Sequence, residues 1–507
     1  MSLDGFLTIF TIFIAIYTVA SPVERLRAKF HFTVQVFIAF LSIVLILYFE
    51  FFSLVGRPCY LPNDAACAWL TFPRDGSFTP PQAAFLVAFA WIILACGITL
   101  FRKPRRNSLT LMRKMVEALL YGHRFPELVD FIQPNLGLIE TTAKQQPQPS
   151  AARAPLTKRR LLARRSNRII QSNINAHESA TTIVQIILNS DEFRKFLVTE
   201  RPNILSKFMA IDLIPRFNFS EKALRDLISE KSSRLYEEIE HNQNIGSDFG
   251  YRIERENFLL RYLFEDANVS QQLGAWKPVG DFVLNKIRTG TSDGYIAYLN
   301  DRPDDFCNEK WRDVVFVGIR YFDIMVNEAM RQNIHDHMWL YYVEKFVREL
   351  EIIYDTSSTN VDIEDEFPTR SAYLLYEAFD VMCGWVENIK HLPENALHAT
   401  IPKEDLRSSG AIPIEAAVAI GQAMATVARS DRIDDRFASY LHNRVLSCLD
   451  ALSREGPQGR VRSHLIREIV NESCHRGDQG RNRLRRLLSD SDHILQSRLT
   501  DYATALD

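Results

Sequence analysis

The stretch that decides the fold is FHFTVQVFIAFLSIVLILYFEFF, residues 30–52, which carries no charged side chain before Glu50. A helix needs about 20 mostly apolar residues to cross the hydrocarbon core of a bilayer. The length and composition of this stretch therefore predict a membrane-spanning helix within Phe30–Val55. Two further apolar runs flank it, Leu3–Ala20 before it and Gln82–Phe101 after it. The three runs predict a three-span transmembrane region over residues 1–106.

These runs allow two other interpretations. Buried helices of a soluble protein are also apolar, but three such runs in succession with basic flanks on alternate sides favour a membrane. The first run could be a cleaved signal peptide, with Thr18-Val19-Ala20 as the cleavage pattern. Signal peptides begin with positive charge, which MSLDG lacks, so we interpret Leu3–Ala20 as an uncleaved anchor.

The basic residues around the runs predict an orientation, because short cytoplasmic loops are enriched in Lys and Arg. The loop between the second and third runs holds only Arg57 and Arg74. The other two flanks are more basic, with Arg25, Arg27 and Lys29 in the first loop and Arg102, Lys103, Arg105 and Arg106 after the third run. We expect an external N-terminus and a cytoplasmic C-terminal part, in a bacterial inner membrane.

Cysteine positions agree with this orientation. Cys59 and Cys67 lie in the predicted external loop and could form a disulfide if that side is oxidising. The other five cysteines are scattered without a Cys-x-x-Cys pair, which argues against a zinc knuckle.

The chain beyond the runs begins with a predicted juxtamembrane helical segment, residues 107–140. Its stripe of Met112, Met115, Val116, Leu119 and Leu120 usually packs on protein but beside a membrane could lie on lipid. A linker is predicted at 141–157, which is rich in Gln, Pro and Ala. A basic cluster follows that could contact anionic lipid or nucleic acid, or form a solvated helix turn: Lys158, Arg159, Arg160, Arg164 and Arg165.

Helical periodicity continues to the C-terminus. Apolar faces recur in Arg216–Ile239, with Ser220 as a predicted N-cap, and in Trp339–Tyr354. Pro413–Arg429 (PIEAAVAIGQAMATVAR) begins with a proline and has Ala and Gly residues that allow neighbouring helices to approach closely. The segment Asp313–Tyr321 (DVVFVGIRY) could be a buried strand by its β-branched content, but its continuation FDIMVNEAM keeps a helical register and favours a helix. The predicted fold is mainly α: the three spans, then a large irregular α-helical cytoplasmic domain at 158–354 and a C-terminal helical region at 368–507.

Charge is distributed unevenly in the C-terminal part. Residues 355–415 have a balance of −8 and residues 454–486 a balance of +5, so the two regions could face each other within one molecule or across subunits. Solvated faces are the more common explanation of such runs. Arg481, Arg483, Arg485 and Arg486 are candidate contacts for phosphate or anionic lipid.

Motifs for chemistry are not found in the sequence. Phosphate-binding Gly loops, the Gly-x-Ser-x-Gly elbow and the kinase motifs do not occur. His335 and His337 would point about 200° apart on a helix and could not share one ion. Glu-x-x-His pairs at Glu238/His241 and Glu472/His475 match the spacing of di-iron bundles, but two such pairs are close to chance. We therefore predict no catalytic residue, no metal and no cofactor, and lean toward a protein that is not an enzyme.

Three functions remain open at this point. The first is a multi-pass membrane-anchored scaffold or sensor whose helical domain binds a protein partner or itself. The second is a membrane effector, for example of a bacterial defence system, whose helical domain senses a signal and assembles the spans into a pore. The third is an enzyme with a site assembled from dispersed residues. Membrane lipid and a protein partner, or self-association, are the expected contacts, and nucleic acid is not favoured.

Overall fold

The structure is a computed structural model that describes residues 11, 18, 32–51, 80–101, 104, 106–145, 159–242, 253–303, 306–334, 338–358, 360–393, 395–400, 410–474, 478–491 and 493–507. Within 159–170 it describes the backbone alone. The described residues form α-helices joined by turns and short 3₁₀ segments, without a strand among them. The prediction of a mainly α fold is therefore confirmed. The chain divides into two compact units, Met1–Phe193 and Arg194–Asp507.

The helices of the first unit correspond in part to the predicted spans. They are α1 (Phe32–Glu50), α2 (Pro80–Phe101), α3 (Leu109–Tyr121), α4 (Phe125–Ile132), α5 (Leu136–Lys144) and α6 (Arg159–Leu188). The second and third predicted spans coincide with α1 and α2, whereas Leu3–Ala20 lies outside the described residues except for Thr11 and Thr18. Over the residues that the structure describes, no helix is long and apolar enough to cross a membrane, so three transmembrane helices are not supported there.

Helices α3 and α5 pack against α6 in the first unit. The predicted stripe from Met112 to Leu120 is buried on α3 and packs on protein. Two polar contacts join the helices: Ser179 Oγ donates to Thr110 Oγ1 at 3.3 Å, and His177 Nδ1 lies 3.1 Å from the carbonyl oxygen of Thr142. Because α5 continues to Lys144, the first four residues of the predicted linker are helical.

The second unit is an irregular assembly of helices. After α7 (Asp191–Glu200), its helices are α8 (Pro202–Met209), α9 (Pro215–Ser229), α10 (Arg234–His241), α11 (Phe258–Phe264), α12 (Ala267–Leu273), α13 (Trp276–Thr289), α14 (Tyr295–Leu299), α15 (Phe306–Glu309), α16 (Val314–Arg331), α17 (Tyr341–Ile353), α18 (Arg370–Glu387), α19 (Ile412–Arg429), α20 (Asp435–Ala451), α21 (Gly456–Cys474), α22 (Gln479–Ser489), α23 (His493–Arg498) and α24 (Thr500–Leu506).

Local sequence signals explain several helix boundaries. Asp313 begins α16 by accepting hydrogen bonds from the backbone N–H groups of Val315 and Phe316 at 2.9 and 3.0 Å, as an N-cap residue does. The prediction of Ser220 as an N-cap is wrong, because α9 begins earlier, at Pro215, and Ser220 is buried within it. The predicted helix Arg216–Ile239 is also broken between α9 and α10, where Ser233 Oγ donates to the carbonyl oxygen of Leu227 at 2.6 Å.

Helix α19 forms the centre of the second unit. Of its 18 residues, 14 are buried, and it packs against α17, α18, α21 and α22. A helix that is apolar around most of its circumference is suited to such a position. The predicted close approach is found at Gly421, where a Cβ atom would lie 2.9 Å from the backbone carbonyl carbon of Glu468 on α21. The spacing between α19 and α21 therefore requires glycine at this position.

We predict that Gly421→Ala destabilises the protein by about 1–3 kcal/mol, because the added methyl group forces α19 and α21 apart. Gly384→Ala is the matched control, since Gly384 also lies inside a helix but has no atom within 4 Å of its Cβ position. The control should be neutral or stabilising by up to about 1 kcal/mol through helix propensity. Urea denaturation followed by far-UV circular dichroism measures both changes. Equal effects of the two substitutions would contradict the proposed steric constraint.

Candidate functional site

The contact between α1 and α2 is built from small side chains. Ala84 and Ala88, one helical turn apart on α2, are 0% and 1% exposed and pack around Ile46 of α1. Phe49 and Val87 pack partly against the same cluster. Small residues spaced four apart let two helix backbones approach closely, and this arrangement is typical of helices that associate in membranes.

Large apolar side chains cover the outer faces of the same two helices. Phe37 and Phe40 are 67% and 66% exposed. The exposed large apolar residues of the pair are Val34, Val36, Phe37, Phe40, Leu41, Val44, Leu45 and Leu47 on α1, and Phe85, Leu86, Phe89, Ile93 and Leu94 on α2. Contiguous exposed apolar surface of this kind marks sites that bind protein, lipid or another apolar phase.

Large and small apolar side chains are distributed between the interior and the surface of this pair in the reverse of the way found in the second unit. On α19, the large residues Ile414, Ile420 and Met424 are completely buried, as water requires. Between α1 and α2, Ala84, Ala88 and Ile46 lie inside, whereas most of the large apolar side chains of the two helices lie outside. We name the outward residues of α1 and α2 the apolar face, and it is the candidate functional site. Sequence reasoning found the two helices but not Ala84 and Ala88, although their spacing of four was visible in the sequence.

The N-terminal site residues predicted from sequence lie mostly beyond the described part. Cys59 and Cys67 are outside it, and so is Lys158. The backbone of Arg159, Arg160, Arg164 and Arg165 belongs to α6. The disulfide and the contacts of this basic cluster with anionic lipid or phosphate stay predictions.

The C-terminal arginines have different environments. Arg483 is buried, and its Nε donates to Asp435 Oδ1 at 2.7 Å. Its Nη atoms donate to the carbonyl oxygens of Val427, Ser430 and Ile433 at 3.1, 2.5 and 2.5 Å. These carbonyl groups lie at and just beyond the C-terminal end of α19, where the last backbone oxygens of a helix lack intrahelical donors. The guanidinium group of Arg483 thus supplies hydrogen-bond donors to the C-terminal end of this helix.

The other three predicted arginines lie near the C-terminus of the chain or in solvent. Arg481 Nε donates to the carbonyl oxygen of Leu506 at 2.7 Å, and Arg485 Nη2 donates to that of Asp507 at 2.9 Å. Arg486 is the most open, with a side chain that is 68% exposed. Phosphate or lipid binding by this group stays a prediction, and Arg486 has the most accessible guanidinium group.

A second arginine of the basic region holds a helix end in the same way. Arg462 forms a bidentate pair with Asp501, with both N–O distances at 2.8 Å, and donates to the carbonyl oxygen of Leu449 in the last turn of α20. Among the described residues, the arginines of 454–486 form no ion pair with a carboxylate of 355–415. The two charged regions do not neutralise each other in this way.

The acidic loop before α18 is bound to α20 instead. Arg436 Nη1 donates to Glu364 Oε2 at 2.6 Å and to the carbonyl oxygen of Ile363 at 3.0 Å, and the Tyr440 hydroxyl donates to Glu366. A groove of about 670 Å³ lies between the loop and α20, but Glu364 and Glu366 already have these partners.

No group of three His, Cys, Asp or Glu side chains in the described ranges could hold a metal ion. His335, His337 and His475 lie outside those ranges. Glu238 is buried and accepts hydrogen bonds from the backbone N–H groups of Leu259 and Leu260 at 3.0 and 2.9 Å, so it holds the N-terminal end of α11.

Comparison of the chain with protein-family models, with curated proteins and with solved structures finds no match.

We predict that Arg483→Met lowers the free energy of unfolding by about 3 kcal/mol, because it leaves buried carbonyl groups without a donor. Arg486→Met is the matched control on the same helix and should change stability by less than about 0.5 kcal/mol, as exposed ion pairs contribute little. Chemical denaturation of the two variants beside the parent chain measures the difference. Similar losses in both variants would show that Arg483 does not hold the end of α19.

Proposed function

We propose that the chain is a multi-pass membrane protein that anchors a helical interaction domain, and that it is not an enzyme. In this proposal, α1, α2 and the predicted first span lie in the bilayer. The second unit, Arg194–Asp507, lies on the cytoplasmic side and binds a protein partner or another copy of the chain.

The observation that carries the proposal is the reversed order of side chains on α1 and α2. In water, each exposed apolar side chain is unfavourable by roughly 25 cal/mol per Å² of surface, and the apolar face presents many of them on two adjacent helices. Lipid removes this cost, because hydrocarbon tails solvate large apolar side chains. Association of two helices in lipid then depends on close packing of small residues, which Ala84 and Ala88 supply.

The charge pattern supports one direction of insertion. Basic residues are concentrated in the first predicted loop and after α2, and are sparse between α1 and α2. The basic cluster from Lys158 to Arg165 follows a short stretch after α5. Such clusters bind anionic lipid at about 1 kcal/mol per charge near the surface. Membrane lipid is therefore the proposed partner of the N-terminal part.

We predict that the full chain stays in the membrane fraction after alkaline carbonate washing. The double variant Phe40→Lys/Phe89→Lys should largely lose this retention, since a lysine at the centre of a membrane helix costs about 2.5–3.5 kcal/mol. Immunoblotting of membrane and supernatant fractions measures the distribution.

The matched control for this experiment is Ile214→Lys/Ile494→Lys. These isoleucines are 86% and 61% exposed on the second unit, so the same chemical change there should leave retention unaltered. Release of the parent chain by carbonate, or equal behaviour of the two double variants, would refute membrane anchoring through the apolar face.

The orientation is tested by labelling of native cysteines with a membrane-impermeant maleimide. We expect Cys59 and Cys67 to be labelled in sealed, right-side-out membranes and Cys474, which is partly exposed, only after permeabilisation. If Cys59 and Cys67 form a disulfide, their labelling will require an impermeant reductant. Mass spectrometry of the labelled peptides gives the positions. Labelling of Cys474 in sealed membranes would contradict a cytoplasmic second unit.

A further inference from the structure

A cleft of about 450 Å³ lies in the second unit between α17, α19 and the end of α21. Its polar lining contains Glu344 and Lys345 of α17, Glu415 of α19 and Glu472 of α21. Three carboxylates and one ammonium group therefore share this space. The ammonium group of Lys345 lies 5.0 Å from the centre of the Tyr342 ring.

Glu344 is the unusual member of this lining. It is only 8% exposed, and its carboxylate makes no hydrogen bond or ion pair with a described residue. Burial is the main reason that the pKa of Glu344 is raised; the charges of Arg348 and Lys345 oppose this effect, and that of Glu472 adds to it. A buried carboxylate without a partner is destabilising, so its position calls for an explanation.

The other buried carboxylates of the second unit have hydrogen-bond donors or cations beside them. Each of them has a donor or a cation within the second unit: Glu238, Asp313, Asp323, Glu328 and Glu468. Glu344 lies in the first turn of α17 and Glu415 in the first turn of α19, where a helix dipole favours negative charge. The dipole lowers the cost of the charge but does not account for a nearly buried carboxylate that has no donor in the described part of the chain.

The other two carboxylates leave room for an external cation. Glu415 accepts a hydrogen bond from the Tyr341 hydroxyl at 2.5 Å, which occupies one of its oxygens. Glu472 accepts a hydrogen bond from Arg429 through its backbone carbonyl at 2.8 Å, and the residue lines the cleft. The volume of the cleft is that of a small-ligand pocket.

We propose that this cleft binds a guanidinium group, either of a small molecule or of an arginine side chain, with Glu344 as its buried anchor. A guanidinium group is planar, presents several N–H donors to carboxylates and is weakly hydrated, so it suits a site that is largely removed from water. A metal ion is a poorer fit, since the described residues hold no cluster of ligands for one. The inference concerns the second unit and does not depend on membrane anchoring.

The test uses the purified full chain and two probes, ethylguanidine and a capped Gly-Arg-Gly peptide, with the neutral Gly-citrulline-Gly peptide as the ligand control. Isothermal titration calorimetry should show saturable binding of at least one cationic probe and none of the citrulline peptide. Binding of ethylguanidine would identify a small cation as sufficient. Binding of the arginine peptide alone would identify a side chain of a partner.

Three variants test the site itself. Glu344→Gln should weaken binding by about tenfold or more, because it removes the buried charge, and should raise the thermal midpoint of the unliganded protein. Glu472→Gln, at the rim, should weaken binding less. Glu366→Gln, whose carboxylate is bound by Tyr440 in the other groove, should leave binding unchanged.

Two results would overturn the proposal. The first is the absence of saturable binding by either cationic probe at millimolar concentrations, or equal affinity in Glu344→Gln and the parent chain. The second is tighter binding of magnesium or calcium chloride that depends on Glu344, which would make the cleft a metal site.

Discussion

The second unit depends on the burial of α19 and on its close approach to α21 at Gly421. Fourteen of the 18 residues of α19 are buried, so this helix provides the surface on which α17, α18, α21 and α22 pack. A Cβ atom at Gly421 would meet the backbone of Glu468. Tight packing cannot absorb even one added methyl group without a shift, and a shift at the central helix would be transmitted to its neighbours.

The end of a largely buried helix needs hydrogen-bond donors, because its last carbonyl groups have no intrahelical donors and little contact with water. Arg483 donates to three carbonyl oxygens at and just beyond the C-terminal end of α19. Arg462 donates to a carbonyl oxygen in the last turn of α20. A guanidinium group suits this role, since it has five N–H donors in a fixed plane and its positive charge is favourable at a helix C-terminus. The basic composition of 454–486 is thereby partly explained by internal structure.

The two units differ in the side chains that they bury. The second unit buries large apolar residues in the usual way, whereas α1 and α2 bury alanines and expose phenylalanines and leucines. The same hydrophobic effect explains both arrangements if the second unit is in water and the apolar face is in lipid.

The two clefts of the second unit differ in whether their carboxylates have partners. The acidic loop is bound by Arg436 and Tyr440, while Glu344 is nearly buried and has no hydrogen-bond partner among the described residues.

Local patterns were sufficient for much of the fold. The apolar stripe of α3 and the close-packing residues of α19 were predicted from residue order, because spacing along a helix fixes which side chains share a face. The apolar content of α1 and α2 was equally visible. The break between α9 and α10, the helix-holding role of Arg483 and Arg462, and the isolation of Glu344 were not predictable in this way. Each depends on which distant residues folding brings together, and a charged side chain acquires its partner, or lacks one, only through those contacts.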